Sequence, residues 1–192
     1  MPIRLIHVSD THLSRTHGYF TDNWRAFKAE MEAAPPDALV HGGDLSFNGP
    51  VAEGDLAFAA GEMASLGIPH RVISGNHDLP EEAAQMAALR DMLGTRGKRP
   101  VMLFMHMPPF DMDPDDPTRT TSVIPHPGRA ALLDICVANG VKVICCGHLH
   151  IYRQMRHRGI RIIWAPATAM STSSAACANA AASPAPAMWS GR

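Results

Sequence analysis

Short apolar runs alternate with longer amphipathic stretches along most of the chain. Six runs of four to six residues are rich in β-branched or aliphatic side chains and are bounded by Gly, Pro or Asp. Runs of this length without regular polar alternation are typical of strands that are buried on both faces. The predicted strands are Ile3–Val8, Ala38–His41, His70–Ser74, Val101–Met105, Val141–Cys145 and Ile160–Trp164.

Between several of these runs, apolar side chains recur at helical spacing. Trp24, Phe27 and Met31 lie three or four positions apart, so they share one face of a helix. The predicted helices are Asp22–Ala34, Ala52–Leu66, Glu81–Leu93 and Gly128–Asn139. Strands that alternate with helices in this way predict an α/β layered domain.

Two segments depart from this alternation. The segment 108–127 contains six prolines and an acidic cluster, which predicts a solvated loop. Beyond Ala165 the chain is rich in Ala, Ser, Thr and Pro, a composition that buries little surface. We therefore expect one domain over residues 1–168 and a disordered tail over residues 169–192.

Composition narrows the class of protein. A chain of 192 residues with a formal net charge of -1 fits one ordinary domain and argues against bulk electrostatic binding of nucleic acid. No apolar run reaches the roughly 18 residues needed to cross a bilayer. The sequence begins directly with a strand-like run and without a leader pattern, so we expect a cytoplasmic protein. The four cysteines are predicted to be reduced thiols, mostly buried.

Asp, His or Asn side chains follow five of the six predicted strands, just past their carboxyl ends. In a parallel sheet that edge is where ligand sites form, so these loops are expected to converge. Carboxylate oxygen, neutral imidazole and amide oxygen are all metal ligands. The candidate ligands are Asp10, His12, Asp44, Asn76, His106, His148 and His150.

The number and spacing of these candidates indicate more than one ion. The pairs Asp10-x-His12 and His148-x-His150 have the period of an extended backbone, which directs both side chains to one side. Seven ligands are too many for one ion with an open position, and they suit two ions that share one carboxylate. A mononuclear hydrolase acting on a non-phosphate substrate is an alternative, and it predicts one ion per chain.

The ordered series of motifs resembles the calcineurin-like metallophosphoesterase superfamily, and most of all its small bacterial phosphodiesterases of the cyclic-nucleotide type. Each motif is weak alone, but all five stand in the family's order and each follows a predicted strand. The resemblance covers about residues 3–168. The motifs are Asp10-x-His12, Gly43-Asp44, Gly75-Asn76-His77-Asp78, His106 and Gly147-His148-x-His150.

The resemblance implies a role for each of these residues. Asp10, His12 and His150 would hold the first ion. Asn76, His106 and His148 would hold the second, with Asp44 bridging the two. His77 would protonate or stabilise the leaving oxygen, and Asp78 would keep the His77 ring oriented and protonated. The implied reaction is in-line attack on phosphorus by a hydroxide bridging the ions, and the mixed N/O ligands favour Mn, Fe or Zn.

The implied fold is a four-layer α/β/β/α sandwich. His106 follows Asp78 by only 28 positions, fewer than is usual in the family, so we expect a shortened second sheet. Its edge would be exposed or covered in a homodimer.

The sequence therefore predicts a dinuclear metal-dependent phosphoesterase, more specifically a phosphodiesterase, acting on a small phosphoester substrate. A catalytically idle metal-binding scaffold of the same fold is the alternative that the short middle segment and atypical tail favour. Intact His77 and Asp78 argue against that alternative. His17 and Arg15 follow the first ligand loop closely enough to reach a substrate. His7, His41 and His70 are predicted to be hydrogen-bonded residues in or beside strands.

Overall fold

A computed structural model describes residues 2–52, 54–78, 85–118, 120–169 and 189–190. The helices are α1 (Thr21–Ala33), α2 (Asp55–Ala64), α3 (Gln85–Thr95) and α4 (His126–Ala138). A 3-10 helix spans Gly18–Phe20. The strands are β1 (Leu5–Val8), β2 (Ala38–His41), β3 (His70–Val72), β4 (Met102–Met105), β5 (Val143–Cys146), β6 (Arg153–His157), β7 (Ile160–Trp164) and β8 (Trp189–Ser190).

These strands form two four-stranded sheets in the described part of the chain. The first has the order β3-β2-β1-β8, and the second has the order β4-β5-β7-β6. The pairs β3-β2, β2-β1, β4-β5 and β5-β7 are parallel, whereas β8 and β6 join their sheets antiparallel. All the parallel strands of a sheet therefore end at the same edge.

Each sheet is covered by helices on its outer face. The buried side chains Ile6 and Leu39 of the first sheet pack with Phe27 of α1 and Met63 of α2. A separate apolar cluster joins the second sheet to α3 and α4 through residues such as Leu93, Leu132, Ile144 and Ile162. Between the sheets, the rings of His7 (β1) and Phe104 (β4) meet edge to face with centroids 5.1 Å apart. The predicted four-layer α/β/β/α sandwich is confirmed, although in the described residues the second sheet has as many strands as the first.

All six predicted strands are present; the short strand β8 falls in the predicted disordered tail, and strand β6 was missed. Its sequence is strongly polar, and half-buried residues alternate with exposed ones along it, as on the edge of an antiparallel pair. It reaches β7 through the two-residue turn Arg158-Gly159, whose φ angles of 50° and 78° are the left-handed values that a tight hairpin requires.

Two further expectations concern the ends of the helices and the tail. The predicted helix Glu81–Leu93 lies partly outside the described residues, which begin again at Gln85. Most of the tail 169–192 is also outside them, so its predicted disorder stays a prediction; Trp189–Ser190 pairs with Ile6 and His7 of β1.

Cys136, Cys145 and Cys146 are free and buried as predicted, and burial raises the pKa of Cys136 to about 11. Cys177 lies outside the described residues. Over the part of the chain that the structure covers, no helix combines the length and apolarity needed to cross a membrane.

Candidate metal centre

Loops from both sheets converge at the carboxyl ends of the parallel strands. In the first sheet, Asp10 and His12 follow β1, Asp44 follows β2 and Asn76 follows β3. In the second sheet His106 follows β4, and both His148 and His150 follow β5. The loops are joined by backbone hydrogen bonds, including Asp10 N–H to the Gly43 carbonyl at 3.0 Å and His12 N–H to the Asp44 carbonyl at 3.1 Å. The predicted convergence of the loops therefore occurs, and it involves two sheets rather than one.

Five of the seven candidate ligands have a left-handed backbone. The φ angles are 56° at Asp10, 47° at His12, 53° at Asp44, 67° at His148 and 55° at His150. This conformation costs about 1 kcal/mol or more for a residue with a Cβ, and it concentrates at functional sites. The surrounding fold therefore holds these side chains in positions that a relaxed loop would not give them.

The first group of candidate ligands consists of Asp10, His12 and His150. His150 Nε2 lies 3.3 Å from Asp10 Oδ1 and 3.4 Å from His12 Nε2. The Asp10 carboxylate also accepts the backbone N–H of His148, with N···O distances of 3.1 and 3.2 Å. The ligand atoms of all three residues lie within 4.8 Å of one another.

The second group surrounds His106 Nε2. This nitrogen lies 3.3 Å from Asp44 Oδ2, 3.2 Å from Asn76 Oδ1 and 3.2 Å from His148 Nδ1. On the far side of its ring, His106 Nδ1 is 2.9 Å from the Gly42 carbonyl oxygen. Because a carbonyl only accepts, Nδ1 carries a hydrogen, and in the neutral ring Nε2 is the nitrogen left with a lone pair for an ion.

His148 is oriented in the same manner through its other nitrogen. Its Nε2 donates to the carbonyl of Thr121, 3.2 Å away, so Nδ1 is left to face His106. Metal-ligating histidines generally donate their remote N–H to a carbonyl or carboxylate, which fixes the tautomer. The carbonyls of Gly42 and Thr121 therefore favour the tautomers of His106 and His148 that leave the other ring nitrogen for a metal ion.

Asp44 lies between the two groups. Its Oδ2 is 3.3 Å from His106 Nε2 and 3.9 Å from His12 Nε2, and its Oδ1 accepts the backbone N–H of His77 at 2.8 Å. Asp44 groups with His106 and His148 on one side and with His12 and His77 on the other. One carboxylate thus stands within reach of both predicted ions.

The separations match those of ligands around one ion. With metal–ligand bonds of about 2.0–2.2 Å, neighbouring ligands lie roughly 3.0 Å apart in an octahedral shell and roughly 3.4 Å apart in a tetrahedral shell. Lone pairs that face each other at this distance repel unless a cation lies between them. The residues present therefore fit bound metal ions.

The pKa shifts keep Asp10, His12 and His148 in the forms that bind metal. Burial alone would raise the pKa of Asp10, but the hydrogen bond from His150 and the charges of His106 and His150 lower it to about 2. Burial lowers the pKa of His12 and of His148 below the usual value for histidine. At neutral pH the carboxylate is ionised and both imidazoles are neutral, as coordination requires. Burial alone would lower the pKa of His106, but the hydrogen bond with Asp44 and the charges of Asp10 and Asp44 raise it, so an ion bound there would displace a proton.

His77 lies beside the first group, but its partner is not the one the sequence predicts. Its ring centroid is 4.8 Å from that of His12, and its Nδ1 donates to the Phe47 carbonyl at 2.7 Å. The Asp78 carboxylate instead accepts N–H groups of Leu45 and Ser46, at 3.1 and 2.8 Å, and of Gly75, at 3.0 Å. The predicted pairing of Asp78 with the His77 ring is therefore corrected: Asp78 organises the loops, and a backbone carbonyl orients His77.

Two of the three glycines noted in the motifs make room for carboxylates. A Cβ on Gly75 would lie 2.1 Å from Asp44 Oδ1, and one on Gly147 would lie 2.6 Å from Asp10 Oδ2. Both separations are far below contact distance, so a side chain at either position displaces a candidate ligand.

Sequence reasoning missed the backbone carbonyls of Gly42, Phe47 and Thr121. A carbonyl leaves no signature in residue type, and Thr121 lies in the segment predicted as a solvated loop. A histidine that binds an ion through one nitrogen needs a hydrogen-bond acceptor for its other nitrogen. This requirement is the one signal in the sequence from which such carbonyl partners could be expected.

Comparison with known proteins places this geometry in context. The model of the family described as calcineurin-like phosphoesterase matches residues 3–94 and 79–152. A dimetal phosphatase from Danio rerio is similar with a TM-score of 0.65 at 10% identity, over 86% of this chain and 88% of that chain. The anchor in the inner membrane complex of Plasmodium has a TM-score of 0.64 at 12% identity, over 89% and 73%.

A third solved structure extends the likeness. A purple acid phosphatase from yellow lupin (Lupinus luteus) seeds has a TM-score of 0.59 at 13% identity, over 84% of this chain and 43% of that chain. No curated protein matches the chain. At these identities the solved structures establish the shared fold alone.

Proposed function

The chain belongs to the calcineurin-like phosphoesterase family, and from that premise we propose that it is a dinuclear metal-dependent phosphodiesterase. The observation that carries the proposal is the ring of electron-pair donors around His106 Nε2, at 3.2 to 3.3 Å, together with the adjoining group of Asp10, His12 and His150. Two groups that meet at Asp44 are what a pair of ions sharing one carboxylate requires.

Each predicted ligand has a place in this proposal. Asp10, His12 and His150 would hold one ion, Asn76, His106 and His148 would hold the other, and Asp44 would contribute to both. When bound, such ions would neutralise charge on phosphoryl oxygens and activate a water as the nucleophile. The mixed nitrogen and oxygen donors favour Mn, Fe or Zn over Mg or Ca.

His77 supplies the proton for the leaving oxygen. The Phe47 carbonyl fixes the tautomer and the direction of the ring, because Nδ1 must carry the hydrogen that it donates. Nε2 is then the nitrogen free to exchange a proton with the substrate. Such general acid catalysis contributes about 10²- to 10⁴-fold in rate.

The charges around the centre favour a diester over a monoester. Among the described residues, the ion pairs of Asp10 and Asp44 are formed with histidines, and no Lys or Arg side chain pairs with them. A monoester dianion carries one more charge than a diester and is generally held by Arg or Lys side chains. A singly charged, small diester therefore suits this site better.

A cytoplasmic location and the formation of a homodimer stay predictions.

The direct test is hydrolysis of bis-p-nitrophenyl phosphate by the full chain with Mn²⁺. We expect turnover that is lost on chelation, returns with Mn²⁺ and exceeds the turnover of p-nitrophenyl phosphate. Bound metal without turnover on either ester would instead support the idle scaffold. One ion per chain with turnover on a non-phosphate ester would support the mononuclear hydrolase.

A further inference from the structure

Four aromatic side chains form a continuous group next to the first candidate ion site. We call this group the aromatic shelf and define it as His17, Tyr19, Phe20 and Phe47. The Phe47 ring lies at its centre, with ring centroids 5.5 Å from His17, 6.0 Å from Tyr19 and 6.4 Å from Phe20. The shelf is built from the 3-10 helix Gly18–Phe20 and from the loop after β2.

The shelf is not part of either apolar core. No residue of the 3-10 helix is buried, and the Tyr19 side chain is 72% exposed. His17 and Tyr19 are exposed, whereas Phe20 and Phe47 are half-buried. Large aromatic side chains in a small domain generally contribute to the core, so a group that is only partly covered needs a different explanation. Contiguous exposed apolar surface beside polar groups marks a ligand-binding site.

The shelf is continuous with the residues proposed to do the chemistry. The Phe20 and Phe47 rings lie 6.1 and 6.4 Å from that of His12. On the other side, the Phe47 ring lies 6.4 Å from that of His77 with an interplanar angle of 34°. The Phe47 ring therefore neighbours both a candidate ligand and the proposed proton donor.

We propose that the aromatic shelf binds a planar aromatic group carried on the leaving side of the phosphodiester substrate. A flat ring stacks on Phe47 and contacts Tyr19 at its edge, whereas a saturated substituent of the same size gains only apolar burial. The inference rests on the proposed function and adds the class of substrate to it. Aryl esters and nucleobase-bearing esters share this chemistry.

The Phe47 side chain can be tested apart from its backbone. The backbone carbonyl orients His77, and that hydrogen bond does not depend on the side chain at position 47. Phe47→Leu therefore keeps the carbonyl and the apolar volume while removing the aromatic face. Tyr19→Leu does the same at an exposed position where a folding defect is not expected, and Tyr19→Phe keeps the ring as its matched control.

The experiment measures calorimetric binding of two phosphonates to the Mn²⁺-loaded full chain. Methyl benzylphosphonate and methyl cyclohexylmethylphosphonate carry the same charge and nearly the same shape, and neither has a hydrolysable bond to the ring-bearing carbon. We expect the benzyl compound to bind about 2- to 10-fold more tightly. That ratio should fall towards one in Phe47→Leu and in Tyr19→Leu, and it should persist in Tyr19→Phe.

Equal affinities for the two phosphonates in the parent chain would overturn the shelf as a binding site and leave the proposed function intact. A benzyl preference that persists in both Leu variants would also overturn it, because the selectivity would then arise elsewhere. Absence of binding by either phosphonate, together with absence of metal-dependent hydrolysis, would instead remove the proposed function on which the inference rests.

Discussion

Asp44 combines strain, burial and contact with both candidate ion sites in a single side chain. Its backbone has a φ of 53°, its side chain is 2% exposed, and its Oδ2 lies 3.3 Å from His106. Burial would raise its pKa, but the hydrogen bond and charge of His106 lower it, so the carboxylate stays ionised. Keeping an ionised carboxylate buried and in a strained conformation costs free energy unless a cation lies beside it. Removing the charge therefore tests whether Asp44 binds the ions.

Asp44→Asn should nearly abolish metal-dependent hydrolysis, with a fall of at least about 10²-fold in kcat. The amide keeps the size of the side chain but cannot contact two cations as a carboxylate does. Initial rates at saturating Mn²⁺ measure the effect. The control is Asp22→Asn in α1, whose side chain is 92% exposed and should leave the rate unchanged. Comparable rates for the two variants would remove Asp44 from the proposed centre.

His77→Gln should lower the rate while metal binding is retained. The loss should be about 10²- to 10⁴-fold for a diester with an alkoxide leaving group, which needs the proton, and much smaller for a p-nitrophenolate leaving group. Rates for the two esters, with metal content measured in parallel, separate the proton donor from a metal ligand. An equal loss for both esters would contradict the role of general acid.

At the scale of elements, the loops after β2 and β3 depend on close backbone approach. Asp78 holds them together by accepting the N–H groups of Leu45, Ser46 and Gly75. The absence of a side chain at Gly75 lets the Asp44 carboxylate lie against the backbone of the neighbouring loop. The position of the carboxylate is thus a property of two loops rather than of one residue.

Gly75→Ala should lower the free energy of unfolding by about 1 to 3 kcal/mol and weaken Mn²⁺ binding, because the new Cβ would lie 2.1 Å from Asp44 Oδ1. Urea denaturation and calorimetry measure the two effects. The matched control is Gly61→Ala in α2, where no atom lies within 4 Å of the added Cβ. That variant should be more stable by about 0.5 to 1 kcal/mol. An unchanged Mn²⁺ affinity in Gly75→Ala would show that metal binding by Asp44 does not depend on its close contact with the backbone of Gly75.

The strands β1 and β2 also carry two buried histidines with a predictable pH effect. Burial lowers the pKa of His7 and of His41 from 6.5 to about 4. His41 Nδ1 accepts the N–H of Gly43, and its Nε2 therefore donates to Thr11 Oγ1 at 3.0 Å, which fixes the neutral form. His7, in contrast, has a buried Nε2 without a hydrogen-bond partner among the described residues.

Because the unfolded chain binds these protons below pH 6.5 and the folded chain does not until about pH 4, stability should fall as the pH drops through that window. Each histidine contributes a slope of up to about 1.4 kcal/mol per pH unit. His7→Leu should reduce the slope measured in urea titrations of the metal-free protein between pH 6.5 and 4.5. A slope equal to that of the parent would contradict the shifted pKa of His7.

At the scale of the whole molecule, the apolar pattern was sufficient to predict an α/β layered domain and six of its strands, whereas the four-layer order came from the family resemblance. Strand β5 is buried at three of its four positions, so a run of this kind stands out without knowledge of its neighbours. The edge strand β6 could not be found in this way, because half of its residues face solvent and Arg153 and Gln154 carry no apolar signal. The strand becomes stable only through pairing with β7, a contact that periodicity does not encode.

The candidate site was predictable as far as residue type and chain position determine it. Asp, His and Asn at the ends of parallel strands converge by topology, and all seven predicted ligands lie in the two groups. The sequence does not encode the carbonyl partners of His77 and His148 or the left-handed backbone at Asp10, because these depend on how distant loops pack. Asp78 was predicted by proximity along the chain, whereas packing turned its carboxylate towards the backbone of Ser46.

Each candidate ion site takes ligands from both sheets, so bound metal should stabilise the whole domain against unfolding. The first takes Asp10 and His12 from one sheet and His150 from the other, and the second pairs Asp44 with His106 and His148. Ions bound at these sites link the two sheets, and the sites exist only in the folded chain. Mn²⁺ at about 100 times its Kd should therefore raise the free energy of unfolding by about 2.7 kcal/mol per site.

The most direct measurement is the number of ions bound per chain, from calorimetric titration of the metal-free protein with Mn²⁺ and elemental analysis of the product. Two groups of donors that meet at Asp44 predict about two ions per chain, with hydrolysis of bis-p-nitrophenyl phosphate appearing as the second ion binds. Saturation at one ion per chain, with full activity reached at that point, would contradict the dinuclear centre.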